Sequence, residues 1–177
     1  MSHNRAGSQR LIFANYRKLS RKRIAIDAQS LETIKNNVNN GPTPYINQAG
    51  LIPEIVEPYH VKLVLPVENG HKNHVGIAYA GSEFVLAEIA GGTLFMTTYG
   101  TDEFVPILKS VECKYLKPGT KDLVADLTLT EEEAEEKIAL ARERGRGDYF
   151  LDVPLFDVDG EQVALMSFNY YALPARS

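Results

Sequence analysis

The hydrophobic positions of this chain follow two periods, and the period changes along its length. Leu11, Ile12, Tyr16 and Leu19, and then Leu31, Ile34 and Val38, recur at three- and four-residue spacing. This predicts helices over residues 9–38, with Ser30 as the cap of the second piece. Asn, Gly and Pro crowd residues 36–44 and close that region. A first strand is expected over 55–67, where Val61, Leu63 and Leu65 alternate, and Pro53, Pro58 and Pro66 mark irregular ends or a sheet edge. Beyond a polar, Gly-containing loop at 69–78, residues 79–97 are apolar on every side of a helix, as suits a helix enclosed in a core. Strands follow over 104–116 and 123–129, then a hairpin of 149–158 and 162–173 turned at Asp159-Gly160. Between the two pairs lies a surface helix over 130–146. It opens on a Thr130/Glu133 capping box and carries Arg142 and Arg144 in its last turn. One buried helix wrapped by a mostly antiparallel sheet is an α+β architecture. The expected organisation is a helical extension at 1–45 and a main domain at 46–177.

Composition narrows the setting. The chain has 177 residues, 44% of them hydrophobic, enough for a core without covalent staples. A single cysteine, Cys113, excludes an internal disulfide and suggests a reducing, cytoplasmic home. No apolar run approaches the ~20 residues of a membrane span. Charge is uneven. Residues 1–23 hold seven Lys/Arg and no acid, which leaves twelve of the 19 basic residues against all 23 acids in the remainder. A basic head can be a transit peptide or a nucleic-acid arm, but the acidic body would repel a phosphate backbone. A surface helix without nucleic-acid binding is the expectation.

Glu88 is the outstanding candidate for chemistry. It lies mid-helix among apolar neighbours, and no Lys or Arg occurs between Asn73 and Leu108. A carboxylate placed there has either a perturbed pKa or a wet site; a structural Glu bonded to backbone or to a partner subunit is the competing reading. Glu83 falls in the first turn of the same helix, where a negative charge suits the dipole, and is read as structural. Gly76, Ala80 and Gly81 keep the helix start small, so that its free N–H groups can meet a carbonyl oxygen. His71 and His74 have the spacing of a metal pair but no completing ligand, and no metal is expected. The Arg146-Gly-Asp148 tripeptide has no supporting extracellular feature.

The run from Asn73 to Glu88 resembles the N-x-x-G-x-x-H-G-G-x-x-x-x-L-A-(D/E) signature of hotdog-fold acyl-CoA thioesterases of the phenylacetyl-CoA thioesterase type. Tyr115-Leu-Lys-Pro118 is similar to the Y-L-R-P of that family, and residues 157–173 to its closing hairpin. Tyr79 stands where the family has His, and Ala80 where it has the first Gly. The resemblance implies a hotdog fold in a homodimer or homotetramer with sites between subunits. It implies hydrolysis of an acyl-CoA or related thioester, with Glu88 as base or nucleophile, Ala80 donating an oxyanion N–H and Asn73 orienting thioester or water. Gly81, Tyr79 and His74 would line the substrate, Lys114 and Lys117 would face coenzyme A phosphates, and no cofactor beyond the substrate is implied. Two alternatives use the same residues: a hotdog domain that binds acyl thioesters without cleaving them, and a β-hydroxyacyl dehydratase with His74 and Glu88, the Pro-Gly of which is missing here.

Overall fold

A computed structural model describes residues 26–175; the predicted helix over 9–25 and the basic head lie outside them. Helix α1 spans Ala28–Asn40. Its cap is Asp27 and not Ser30: the Asp27 carboxylate accepts the Ser30 N–H at 2.8 Å, which makes Ser30 the third helical residue. The helix also runs five residues, Asn36 to Asn40, into the Asn-rich stretch expected to be a turn. Ile34 and Val38 pin it to the core, and the Asn39 amide donates to the Leu51 carbonyl, so tertiary contact overrides weak propensity. A single turn, α2 (Pro44–Asn47), follows.

The expected first strand is a hairpin of two, β1 (Ile52–Glu57) and β2 (His60–Leu65), with Glu57 opposite His60. Pro58 supplies the φ of a turn's first central position, and Tyr59 takes φ 66° at the second. A turn residue of that kind is normally Gly or Asn, and the continuous alternation concealed it. Helix α3 (Ala80–Tyr99) comes next, then β3 (Phe104–Tyr115), β4 (Leu123–Thr128), α4 (Glu131–Arg144), β5 (Gly147–Asp157) and β6 (Gln162–Pro174). The strands form one antiparallel sheet in the order β1-β2-β4-β5-β6-β3, so β1 and β3 are its edges and Pro53 sits on an edge.

Alternation sends Val61, Leu63 and Leu65 of β2, Ala125 of β4, Val153 and Leu155 of β5 and Met166 and Phe168 of β6 into the core with Leu86, Ala90, Leu94 and Phe95 of α3. The sheet wraps the long helix, which is the hotdog arrangement. Helix α4 caps the far end: its Thr130/Glu133 box is formed, Ala134, Ile138 and Ala141 are buried, and the Tyr99 hydroxyl donates to the Ala134 carbonyl at 2.9 Å. The Arg-Gly-Asp tripeptide is spent internally. Gly147 packs against the Ala141 backbone, and Asp148 pairs with Lys109 at 2.6 Å and accepts from Asn169 at 3.0 Å.

Candidate active site

The loop entering α3 is folded by its own polar groups. Asn73 Oδ1 accepts the N–H groups of Val75 at 2.9 Å and Ile77 at 3.3 Å, and the Asn73 N–H donates to the Ile77 carbonyl at 2.8 Å. Gly76 takes φ 83° within that turn. The side-chain carbonyl of Asn73 is thereby used in shaping the loop, and only its amide N–H₂ is left for a ligand. Four further bonds fix where the loop delivers the helix. Tyr79 N–H donates to the His71 carbonyl and Ala78 N–H to the Gly119 carbonyl, both at 2.7 Å. His71 Nε2 donates to the Ala49 carbonyl at 2.9 Å, and its Nδ1 therefore accepts from Ser82 Oγ at 2.9 Å. His71 thus ties Ala49, just beyond α2, to the first turn of α3; among the described residues no cluster of three or more metal-binding side chains forms.

Helix α3 begins without a side-chain cap. The Tyr79 carbonyl accepts the N–H groups of Ser82 and Glu83 at 2.8 and 3.1 Å. No acceptor among the described residues takes those of Ala80 and Gly81, which remain available to an oxyanion. Space at this point differs from expectation. A side chain at Gly81 would collide with the Tyr79 ring, so the room left by Gly81 is filled by Tyr79, itself 54% exposed over the helix start. Tyr115, from the end of β3, donates its hydroxyl to the Ala80 carbonyl at 3.1 Å. Lys114 and Lys117 flank it at the surface, paired with Glu112 at 3.4 Å and with Glu161 respectively. His74 is exposed on the loop.

The two carboxyls of the helix have exchanged the prominence expected of them. Glu88 lies on the stripe Phe84, Glu88, Gly92 and Met96, the i+4 row of α3 left half-buried where the sheet does not cover it. No hydrogen bond or ion pair holds its carboxylate among the described residues. Desolvation raises its pKa, and its backbone carbonyl accepts the buried Tyr170 hydroxyl at 3.0 Å. Glu83, read as a structural first-turn acid, is 4% exposed, and its Oε2 is buried with no hydrogen-bond partner. Burial pushes its pKa up to about 7. Ordinary dipole stabilisation would leave it solvated and low, so first-turn electrostatics alone does not account for its surroundings. The missed signal was the same one that drew attention to Glu88: an acid in a segment devoid of cations.

The architecture is that of the hotdog, thioesterase-like class. Within it, residues 34–171 match the family described as a domain of unknown function, DUF4442, and the chain belongs to that family. PA5026 of Pseudomonas aeruginosa, described as a protein of unknown function and probable thioesterase, is 32% identical over 81% of this chain and 95% of its own, with a TM-score of 0.74. A candidate thioesterase of Shewanella oneidensis is 18% identical, with coverages of 84% and 100% and a TM-score of 0.67. The protein smu.793 of Streptococcus mutans UA159, solved with acetyl-CoA bound, is 21% identical over 72% of this chain and 91% of its own, at a TM-score of 0.55. The last two are likenesses of fold alone. No curated protein matches the chain.

Proposed function

We propose that this protein is a thioester hydrolase acting on an acyl-CoA, with Glu88 as general base or nucleophile and the Ala80 and Gly81 N–H groups as oxyanion donors. The observation that carries the reading is the pairing of free N–H groups at the start of α3 with an unpartnered, desolvated carboxylate two turns along it. Hydrolysis of a thioester needs both parts: donors where the carbonyl oxygen gains charge, and a group that delivers or activates the attacking oxygen. A raised carboxyl pKa brings the base nearer to working pH. The names given to PA5026 and the acetyl-CoA bound to smu.793 point the same way.

The remaining roles follow from position. The Asn73 amide N–H₂ would orient substrate or water, Tyr79, Gly81 and His74 would border the acyl or pantetheine arm, and Lys114 and Lys117 would leave their surface pairs for coenzyme A phosphates. The half-covered stripe of α3 and the free edge of β3 suit a homodimer. Among the described residues, nothing lies within 4 Å of where a side chain at Gly92 would stand, which leaves room for close approach by a partner. Sedimentation at micromolar concentration should give a dimer or tetramer, and a monomer would remove the shared site.

The decisive experiment is thiol release over an acyl-CoA panel with wild type and Glu88→Gln. Turnover should fall by about 100-fold or more in the variant, with acyl-CoA binding retained. Binding without thiol release by wild type would establish an acyl-thioester-binding module instead. Enoyl product without thiol, lost equally in His74→Ala, would establish the dehydratase.

A further inference from the structure

Tyr170 stands on β6, a strand bonded on both sides, with Tyr149 of β5 opposite it on one flank and Leu108 of β3 on the other. Its side chain is buried, and its ring stacks on Phe168 with centroids 5.3 Å apart and planes 19° from parallel. From this rigid seat the hydroxyl crosses to the helix and donates to the Glu88 carbonyl at 3.0 Å. That carbonyl already serves the helix's own ladder, so the bond uses its second lone pair. Gly91 opens the way, since a side chain there would stand 2.4 Å from the Tyr170 oxygen. Packing alone asks for neither feature. A phenylalanine at 170 would fill nearly the same space with no acceptor to find, and glycine is unfavourable in a helix interior. The adjacent Gly91 and Gly92 also leave α3 little side-chain bracing just beyond Glu88, at a place where long helices readily bend. Burial first, then the Glu88 charge and Tyr149, raise the Tyr170 pKa, so Glu88 of α3 and Tyr149 of β5 are the titratable groups that bear on the hydroxyl.

We propose that Tyr170 is a positioning residue for Glu88: its bond to the Glu88 backbone pins the glycine-weakened stretch of α3 to the sheet and so fixes where the carboxyl stands relative to a thioester held at Ala80 and Gly81. This rests on the hydrolase reading above. The bond touches the backbone of the residue that carries the base, whereas the side chain of Glu88 stays unpartnered and available to the reaction. A carboxylate that attacks, or that activates water, gains rate only while its distance to the carbonyl carbon is held. Gly91 serves the same end, because it admits the hydroxyl to the carbonyl three residues before it.

The test compares wild type, Tyr170→Phe, Gly91→Ala and the double variant in the full chain. It reads kcat and KM for thiol release from acyl-CoA thioesters against pH, with denaturant unfolding to give the folded fraction. Tyr170→Phe removes only the hydroxyl. It should stay folded, keep KM within about 3-fold and lose about 10-fold in kcat, the scale of a misplacement below about 1 Å. Burial holds the Glu88 pKa up, and a loosened segment admits water, so the acid limb of kcat/KM should move to lower pH. A smaller folded fraction would lower the rate without moving that limb. In Gly91→Ala the new methyl meets the Tyr170 oxygen, and adding Tyr170→Phe should restore most of the lost unfolding midpoint while kcat stays no higher than in Tyr170→Phe alone. Wild-type kcat in Tyr170→Phe, or slower turnover with an unmoved acid limb, overturns the proposal and leaves the hydrolase reading standing. Recovery of kcat together with stability in the double variant overturns it too, since the hydroxyl would then serve packing alone. Wild type that releases no thiol from any thioester defeats the hydrolase reading itself, and this inference with it.

Discussion

Glu83 and Glu88 are five residues apart on one helix, and burial raises the pKa of both, but only Glu83 is closed off. The consequence for stability has a definite sign. Folded Glu83 keeps its proton up to about 7, while the unfolded chain releases it near the ordinary carboxyl value of 4.5. Between those values the folded state binds more protons, so stability falls as pH rises and the loss is complete above about 7. The denaturation midpoint of wild type should drop between pH 5 and pH 8 by the equivalent of roughly 1–3 kcal/mol, and Glu83→Gln should remove most of that drop. An equal drop in the variant would assign the dependence to other groups. Glu88 stands out in the sequence as a candidate because an acid among apolar residues without cations is conspicuous. Glu83 shares that surrounding, yet its first-turn position offered a sufficient electrostatic explanation. Because the helix is apolar all round, no sequence periodicity distinguishes the side facing the sheet from the side left open.

At the level of the element, α3 owes its fit to one glycine. A side chain at Gly91 would meet the Tyr170 hydroxyl, the group that donates to the Glu88 carbonyl. Gly91→Ala should therefore displace Tyr170 and cost about 1–3 kcal/mol in equilibrium unfolding, despite Ala's better helix propensity. Gly92→Ala meets nothing among the described residues. It should leave subunit folding unharmed and report only on assembly, read by sedimentation. Two adjacent glycines inside a helix are plain in the sequence, but which of them faces Tyr170 depends on β6, some 80 residues later. Strand identity was similarly uneven. The capping box of α4 was legible because both partners are three residues apart; Thr130→Ala should cost about 1 kcal/mol in thermal or denaturant unfolding. The β1–β2 turn was hidden because Tyr59 adopts a left-handed conformation without the residue type that announces one.

On the scale of the whole molecule, the α+β plan and the buried helix were readable from period alone, whereas the strand order was not, since pairing joins residues far apart in sequence. Helix α1 belongs to the same body: Ile34 and Val38 contribute to the core that Leu51 and Val56 also line. Deletion of residues 1–40 should lower stability by roughly 3 kcal/mol or more while a folded core persists, as measured by denaturant titration and by the dispersion of an NMR spectrum. Survival of the full midpoint would mean that the helix only rests on the surface.

The pairing of β3 with β6 also governs how the chain can be made. Phe104 finds its partner in Pro174 and Tyr115 in Ala164, so β3 leaves the ribosome well before the strand that must seat it. At about 5–20 residues per second, several seconds pass with that edge and the apolar flank of α3 uncovered. A nascent chain stopped before β6 would be a natural client for holding chaperones, and premature termination there would leave a product prone to joining other chains rather than a smaller folded one.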